Sequence, residues 1–456
     1  LKTASKALTE NAAFGYGPNT FLYAWFDHRP SDILNTPFWQ TRFNSGIGYI
    51  PTLLVTTGLV GILLLLAFIF SLIYYGFKAL VKSSNSSSFL ILASFAGALY
   101  LWVFAFAYSG GFSLLFPLFL LSGLFLSLAM KKGALDYYEI SLFEHSVAGF
   151  VGALSLILFI VLGVSWISIF AQKYYAAVLY GAGVESTSQN EFAKANDMFT
   201  RAIKFDRRDL YLRTFADLGI LRLQEIVAAA GNSPTEEQRR DFESTLGSTL
   251  QNAQDSADTN PRDMANWMTL GRIYEAIIQF QIQGAADRAL DSYKKAGEAF
   301  PTSPEPLMAA ARIEVARNDL PKARELLHSA IAIKADLAQA HYLIAQIEAA
   351  SGNAAAAISS VETTARLVPN DVGVLFQLGL LYYQNDRISE ARAVFERAIS
   401  VNSSYSNARY FLGLIYAKAG EGDRALNEFI KIEELNPGNA EVKMIIENLS
   451  TGKDPL

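Results

Sequence analysis

The chain of 456 residues contains no cysteine, which excludes a disulfide framework, a thiolate metal site and a cysteine nucleophile. It also lacks any long basic run, and its net charge of −5 argues against nucleic acid as a partner. No phosphate-binding loop, metal-ligand cluster or nucleophile elbow occurs in the sequence. We therefore expect no metal site and no cofactor.

Charge is scarce in the first part of the chain and common in the rest. Up to Gln172 there are 8 Lys and Arg and 6 Asp and Glu, whereas from Lys173 onward there are 30 and 37. The first part therefore carries a net charge of +2 and the second a net charge of −7. Such an uneven distribution excludes a single globular core and indicates an apolar block joined to a polar, acidic one.

The apolar block contains long stretches without a charged side chain. A helix of about 20 apolar residues crosses the hydrocarbon layer of a membrane, so we predict four transmembrane helices. Buried helices of a large soluble protein are the alternative, which four such runs within 130 positions disfavour. The predicted spans are residues 53–75, 89–108, 112–130 and 147–170.

Lysines in the short connections predict the orientation of these spans. Lys78 and Lys82 precede a Ser/Asn tract in the first connection, and Lys131 and Lys132 lie in the third. Since such residues favour the cytoplasmic side, we expect residues 1–52 and everything after residue 170 to lie outside a cell membrane. The chain opens with Leu1 and shows no signal peptide, so we expect the C-terminal portion of a longer multi-pass membrane protein.

The polar block has a period of 34 residues. Alanine recurs at this spacing, and a large side chain follows each alanine by four positions. The pattern resembles the tetratricopeptide (TPR) repeat, a pair of helices that buries its apolar face against neighbouring pairs. The alanines are Ala289, Ala323, Ala357, Ala391 and Ala425, and the large residues are Tyr293, Leu327, Val361, Phe395 and Phe429.

The expected fold is therefore all-α, with four transmembrane helices followed by an extracytoplasmic TPR-type solenoid. The predicted domains are an outer loop and interfacial segment (1–52), a transmembrane domain (53–172), irregular TPR-like repeats (173–262), a regular TPR array (263–438) and a terminal capping helix with a tail (439–456).

The first helices of the TPR array line a concave groove in such solenoids, and we predict that this groove binds a protein or a glycan. Aromatic side chains there are suited to stacking on sugar rings or to holding apolar side chains of a peptide. Packing of these rings between the repeats or under the terminal helix is equally compatible with the pattern. By the repeat register the groove includes Met308, Arg312, Tyr342, Gln346, Phe376, Tyr383 and Tyr410.

Two short motifs lie in the outer segment (1–52) and at the start of the first predicted span. Residues 15–21 read Gly-Tyr-Gly-Pro-Asn-Thr-Phe, and residues 57–61 read Thr-Gly-Leu-Val-Gly. Together with the later spans and the repeats, these motifs resemble the O-antigen ligase and polymerase family of bacterial envelope glycosyltransferases. The resemblance covers residues 1 to about 172. It implies transfer of a glycan from a polyprenyl-diphosphate carrier to an acceptor hydroxyl without a metal, and hence contact with membrane lipid.

On this resemblance, arginines hold the diphosphate, because a guanidinium group matches phosphate oxygens and stabilises the leaving group. Arg42 is the first candidate and Arg29 the second, as the two arginines of residues 1–172. His28 is the candidate base for the acceptor proton. The family commonly places a His-Asn pair about eleven residues before the closing glycine motif, where this chain has Ile47-Gly48.

The departure from the family pattern leaves three alternatives open. Another residue acts as the base, a base is dispensable, or the protein does not catalyse. The last of these corresponds to a membrane-anchored TPR scaffold for protein–protein interaction. A transporter is a third function class, which the absence of charged residues from the predicted spans disfavours.

Overall fold

The regular secondary structure is all helical over the residues described by the computed structural model, namely 2–82, 88–131, 146–231 and 233–455. The predicted all-α class is thus confirmed for these ranges. Two short 3-10 turns, Ser31–Asn35 and Ile278–Phe280, accompany the helices. The helices are α1 (Lys2–Glu10), α2 (Phe21–His28), α3 (Tyr49–Lys82), α4 (Ser88–Ala107), α5 (Phe112–Lys131), α6 (Ser146–Ser188), α7 (Phe192–Phe205), α8 (Asp209–Ala230), α9 (Glu236–Thr259), α10 (Met264–Ala276), α11 (Ala285–Ala299), α12 (Glu305–Ala316), α13 (Leu320–Ile333), α14 (Ala338–Ala350), α15 (Ala354–Leu367), α16 (Val372–Gln384), α17 (Ile388–Val401), α18 (Ser406–Lys418), α19 (Gly422–Leu435) and α20 (Ala440–Ser450).

Four helices are long and apolar enough to cross a membrane, by length and composition, and each contains most or all of one predicted window. They cover Tyr49–Val81, Phe89–Ala107, Ser113–Lys131 and Gly149–Ser188. The membrane and the orientation stay predictions. Of the loop features used to predict the orientation, residues 83–87 of the Ser/Asn tract and Lys132 lie outside the described residues.

Helices α3, α4 and α5 pack together around a common apolar core. Trp102, Leu118 and Phe125 are completely or almost completely buried in it. A Cβ at Gly76 would lie 2.1 Å from the Phe95 ring, so α3 and α4 approach each other where one of them has no side chain. Small residues at such contacts permit close packing between apolar helices.

Helix α6 runs without interruption from Ser146 to Ser188. The domain boundary predicted at residues 172/173 therefore lies inside one continuous helix. Its apolar part presents its side chains outward, whereas Ala176 and Leu179 are buried against the helices that follow. Hydropathy changes at residue 172, but helix propensity does not, and this explains why composition marks a boundary that the backbone lacks.

The chain divides into two compact units, Leu1–Arg262 and Asp263–Leu456. In the second unit α10 to α19 form five antiparallel pairs, and α20 covers the last of them. Phe429 and Ile432 of α19 pack against Val442 and Ile445 of α20, so the terminal helix shields the final apolar face. Such a cap is what a repeat array requires for solubility.

The Leu-Gly element of the repeats has a steric cause. A Cβ at Gly379 would lie 2.5 Å from the ring of Phe395, and one at Gly413 would lie 2.6 Å from the ring of Phe429. In these two pairs the first helix has no side chain at the contact, so the large residue of the second helix can be buried completely. This explains why glycine and the aromatic residue recur together.

Candidate functional site

Helix α3 is interrupted at Gly58, where φ is 64° and ψ is −161°. The interruption turns two carbonyls before Gly58 and two amides after it away from the helix, and residues 12–17 supply their hydrogen-bond partners. We call this arrangement the clasp. Its bonds are Tyr16 N–H to Val55 O (3.0 Å), Gly17 N–H to Thr56 O (2.9 Å), Leu59 N–H to Ala12 O (2.8 Å) and Val60 N–H to Ala13 O (3.1 Å).

Two glycines make the clasp possible. Gly15 and Gly58 both have φ of 64°, a left-handed conformation that L side chains rarely adopt. They also face each other's segments: a Cβ at Gly15 would lie 2.4 Å from Val55 O, and one at Gly58 would lie 2.5 Å from Ala13 O. The two glycine motifs noted in the sequence are therefore the two halves of one structure, joined across about 40 residues.

The clasp holds Tyr16 against a small polar cluster. The Tyr16 hydroxyl donates to Glu10 Oε2 at 3.0 Å and lies 2.8 Å from His28 Nε2, which is itself 3.1 Å from Glu10 Oε2. Burial, followed by the hydrogen bond to Glu10, raises the pKa of the Tyr16 hydroxyl well above its usual value. Tyr16 therefore remains a neutral donor at physiological pH.

His28, the candidate base, is 92% buried, with its Nε2 occupied by this cluster. Glu10 is the accessible member, since 56% of its side chain is exposed. Tyr16 and Glu10 are thus hydrogen-bonding neighbours of the imidazole. The sequence did not indicate Glu10 or Tyr16 as site residues. Glu10 is a single glutamate on a short helix and belongs to no motif.

The two candidate arginines have different surroundings. Arg29 is buried, and its Nη1 donates to Trp39 O at 2.6 Å, so this guanidinium holds the loop that follows α2. Arg42 is half-buried, and its guanidinium carbon lies 5.8 Å from the centre of the Phe26 ring. Of the two, Arg42 has the more accessible side chain for an anionic ligand.

Helix α2 is tied to the corner that follows α9 by contacts across more than 230 residues. We call this connection the latch. The Tyr23 hydroxyl donates to Asn260 Oδ1 at 3.0 Å, and Arg262 Nη2 donates to Asp27 Oδ2 at 3.1 Å. The Arg262 guanidinium also lies over the Tyr23 ring, 4.7 Å from its centre, a cation–π geometry. A third arginine thus joins the outer segment.

The latch can be tested by cross-linking, since the chain has no native cysteine. We expect a short bis-maleimide reagent to join Asp27→Cys to Arg262→Cys in the full chain. The control pair is Asp27→Cys with Arg240→Cys, because Arg240 lies about 30 Å up α9 from its C-terminal end at 1.5 Å per residue. Equal cross-linking of both pairs, or none of the first, would contradict the latch.

In the second unit, three predicted groove residues are accessible. Gln346 is exposed and Tyr342 is half-buried, both on α14. Arg312 on α12 has 48% of its side chain exposed, and its Nε lies 3.4 Å from Glu275 Oε1. Met308 on the same helix is buried. The accessible groups are therefore an amide, a phenol and a guanidinium that is paired with Glu275.

The other three predicted groove residues make ring contacts with neighbouring helices. Phe376 and Tyr383 are half-buried, with ring centres 5.9 Å and 5.4 Å from that of Phe411. Tyr410 lies edge-on to Phe429 at 5.7 Å, and its hydroxyl donates to Glu441 Oε1 of α20 at 2.7 Å. Phe376, Tyr383 and Tyr410 thus pack between repeats and against the terminal helix while keeping part of their surface accessible.

Neighbouring repeats share a tyrosine–glutamate hydrogen bond at the 34-residue period. The Tyr382 hydroxyl donates to Glu362 Oε1 at 2.7 Å, and the Tyr416 hydroxyl donates to Glu396 Oε1 at 2.9 Å. Burial, and then the hydrogen bond to the glutamate, raises the pKa of each tyrosine to about 12. The neutral phenol is therefore favoured by the fold.

Alkaline titration should reveal these bonds. Since the folded pKa lies above the unfolded value of about 10, their stabilisation is complete below pH 10 and is lost as pH rises through about 12. We expect Glu362→Gln to move the phenolate absorbance change of Tyr382 to lower pH, because a carboxylate no longer opposes the phenolate. Glu298→Gln, at an exposed position of α11, serves as the control. An unchanged titration in Glu362→Gln would contradict the assignment.

Two stretches of the chain match tetratricopeptide-repeat family models, at residues 281–347 and 376–440. A segment of 56 residues, 12% of this chain, is 38% identical to anaphase-promoting complex subunit 3 of Schizosaccharomyces pombe. This match spans 8% of the length of that relative.

The solved structures to which this chain is similar include TPR proteins. The C-terminal part of a TPR repeat-containing protein from Cytophaga hutchinsonii is 14% identical, with a TM-score of 0.44, covering 58% of this chain and 98% of that chain. A tetratricopeptide repeat protein from Parabacteroides merdae is 15% identical, with a TM-score of 0.37, covering 61% and 99%. The two family matches and the 34-residue period show that the C-terminal half of the chain carries tetratricopeptide repeats.

Proposed function

We propose that this protein is a membrane-anchored TPR scaffold, whose second unit binds an extended protein segment along the face formed by its first helices. The observation that carries this proposal is the row of partly accessible, uncharged side chains on consecutive first helices. Tyr342, Phe376 and Tyr410 follow one another at the 34-residue spacing, and Gln346 and Tyr383 lie on the first two of these helices.

The chemistry of this row defines the partner. Aromatic rings offer large apolar contacts with little loss of side-chain entropy, and amides can pair with a peptide backbone. The cation on this face, Arg312, is already beside Glu275. The row therefore suits an extended peptide with apolar or aromatic side chains rather than one selected by a terminal carboxylate or a phosphate.

The anchor consists of the four long apolar helices α3 to α6. An even number of crossings places the segment before α3 and the helices after α6 on the same side of a membrane. The latch supports this arrangement, because Tyr23 before the first crossing contacts Asn260 after the last. We further propose that this side is outside the cell membrane, as the lysines of the connections indicate. Protection of the repeats from protease added to intact cells would overturn the outward orientation.

Site-specific photo-cross-linking in the full chain tests the scaffold. A photoreactive residue at position 342 or 383 should capture a protein partner in cells, whereas one at Ser389, at the start of a second helix, should not. Replacement of Tyr342 by Ala should weaken the capture at position 383, because the two positions serve one peptide. Equal capture at all three positions, or none at 342 and 383, would refute the binding face.

The second candidate function is glycan transfer from a polyprenyl-diphosphate carrier. The observation that favours it is the clasp, which joins the two motifs that resemble the glycosyltransferase family. On this proposal Arg42 and Arg29 hold the diphosphate, and His28 is the base for the proton of the acceptor hydroxyl. The clasp would then fix Tyr16 beside this imidazole.

An in vitro transfer assay with the full chain and a polyprenyl-diphosphate oligosaccharide tests this second candidate. Product with the unmodified chain and its loss in Arg42→Ala, but not in Arg240→Ala on exposed α9, would support it. Equal product from both variants would remove Arg42 from the site. Absence of product with every donor tested would leave the scaffold as the function.

A further inference from the structure

The outer segment encloses a cavity of about 610 Å³ that neither proposed function uses. Helices α1 and α2 form one side of it, residues 43–47 form another, and Pro51 in the first turn of α3 closes the end. The volume lies within the range of pockets that enclose a small organic molecule. The cavity therefore has room for a ligand.

The wall of the cavity is almost wholly apolar. Phe21, Ile33 and Phe43 are among its lining residues, and no charged side chain of the described residues lines it. Thr3, one of its few polar residues, has its hydroxyl 3.5 Å from the His28 carbonyl, to which it donates. A charged or strongly polar ligand would lose its hydration here without compensation, so the ligand must be mainly hydrocarbon.

One polar group in the wall lacks a partner. The indole N–H of Trp25 is buried and has no hydrogen-bond acceptor among the described residues. Trp25 itself is about nine-tenths buried, with its ring packed edge-on against Phe43 at 4.9 Å. Since this nitrogen has almost no accessible surface, the Trp25 side chain presents only the apolar part of its ring to the cavity, which suits a hydrocarbon ligand.

The cavity lies beside the long apolar helix α3. Ile47, which lines it, has 78% of its surface exposed, and Phe14 and Phe38 of the same outer segment are 75% and 59% exposed. Large apolar side chains exposed next to an apolar helix are typical of a segment that rests on a membrane surface. A membrane lipid is therefore the hydrocarbon ligand that lies next to this cavity.

We propose that this cavity holds one acyl chain of a membrane phospholipid. The proposal rests on the membrane anchoring described under Proposed function. The volume accommodates a single acyl chain, whereas a long polyprenyl chain is several times larger. A peptide would bring backbone amides that this wall cannot pair. The occupied cavity would hold α1 and α2 against the membrane surface.

Photo-cross-linking with a defined lipid tests the proposal. The full chain is placed in nanodiscs that contain phosphatidylcholine with a photoreactive group midway along one acyl chain, and the adducts are mapped by mass spectrometry. We expect adducts on residues 21–25 and 43–47 in addition to those on α3 to α6. Adducts on α3 to α6 alone would refute the cavity site, and absence of adducts on these helices would refute the anchor itself.

A matched pair of variants separates the cavity from general lipid contact. Ala4→Phe fills the cavity from α1, whereas Ser5→Phe adds the same ring on the exposed side of that helix. We expect Ala4→Phe to reduce the outer-segment adducts about fivefold or more, a factor that matches the lower end of overpacking penalties. Ser5→Phe should leave them unchanged.

Two further measurements show whether the filling variants remain folded and whether the bound hydrocarbon is an acyl chain. The cross-link between Asp27→Cys and Arg262→Cys, introduced into the Ala4→Phe variant, should persist, which shows that the outer segment stays folded. If this cross-link is lost in Ala4→Phe, the test uses Ala4→Leu instead. The smaller leucine side chain should also reduce the adducts on the outer segment. Adducts that survive in every folded filling variant, or that disappear when polyprenyl phosphate is added at equal concentration, would overturn the assignment of the acyl chain.

Discussion

Replacing Gly58 with alanine is expected to destabilise the clasp by about 2–6 kcal/mol. Its backbone conformation, with φ of 64° and ψ of −161°, is essentially restricted to glycine and costs a residue with a side chain about 1–3 kcal/mol, and overpacking adds about 1–3 kcal/mol. The new methyl group would lie 2.5 Å from Ala13 O, a backbone atom that cannot move without breaking the clasp. Gly15→Ala should have a similar effect for the same two reasons.

Hydrogen exchange gives a direct measurement, because four amides donate the clasp bonds. The amides of Tyr16, Gly17, Leu59 and Val60 should exchange about 30-fold faster or more in Gly58→Ala, the factor that corresponds to 2 kcal/mol. Gly123→Ala is the control, since Gly123 of α5 has open space around it. Unchanged exchange in Gly58→Ala would show that the clasp does not depend on this glycine.

Breaking the buried ion pair between Arg409 and Glu428 is expected to destabilise the last full helix pair by about 3–5 kcal/mol. Both residues are 94% buried. Arg409 also donates to Ser403 O through Nε at 2.8 Å and Nη2 at 2.6 Å, so its guanidinium has fixed surroundings. In Arg409→Met the Glu428 carboxylate would remain buried without this cation.

Exchange of the amides of α18 and α19 measures this loss, and two variants serve as controls. Asp291→Asn removes one partner of the exposed pair Lys295–Asp291 and should change stability by less than about 1 kcal/mol. The double variant Arg409→Met/Glu428→Leu should recover most of the loss, because neither charge remains buried. A double variant as unstable as Arg409→Met would mean that the side-chain volumes, not the charges, hold this pair of helices.

Much of the helical architecture follows from local patterns in the chain. The runs of apolar residues predict four long helices, and the structure has a helix over most or all of each window. The 34-residue period predicts the five helix pairs and the cap, because spacing decides which side chains share a face. Gly379 and Phe395 illustrate how a sequence signature corresponds to one steric contact.

The outer segment was predictable only in part. Its glycine motifs and its three candidate residues, His28, Arg29 and Arg42, are visible in the sequence. The sequence did not show that the His28 imidazole would contact Tyr16 and Glu10. It also did not show that Arg29 would donate to a loop carbonyl. A residue type and its position along the chain do not reveal its neighbours when those neighbours lie on other elements.

Composition and periodicity thus decided the helical class, the helix pairs and the terminal cap, since each depends on which residues share a helix face and on the regular spacing of the repeats. The tertiary structure alone decided the clasp, the latch and the continuity of α6. Gly58 pairs with the backbone of residues 12–17, and Arg262 with Asp27, across separations at which no periodic signal survives. The low charge of the apolar block does not predict these contacts, because hydrogen bonds between distant segments depend on the complete path of the chain.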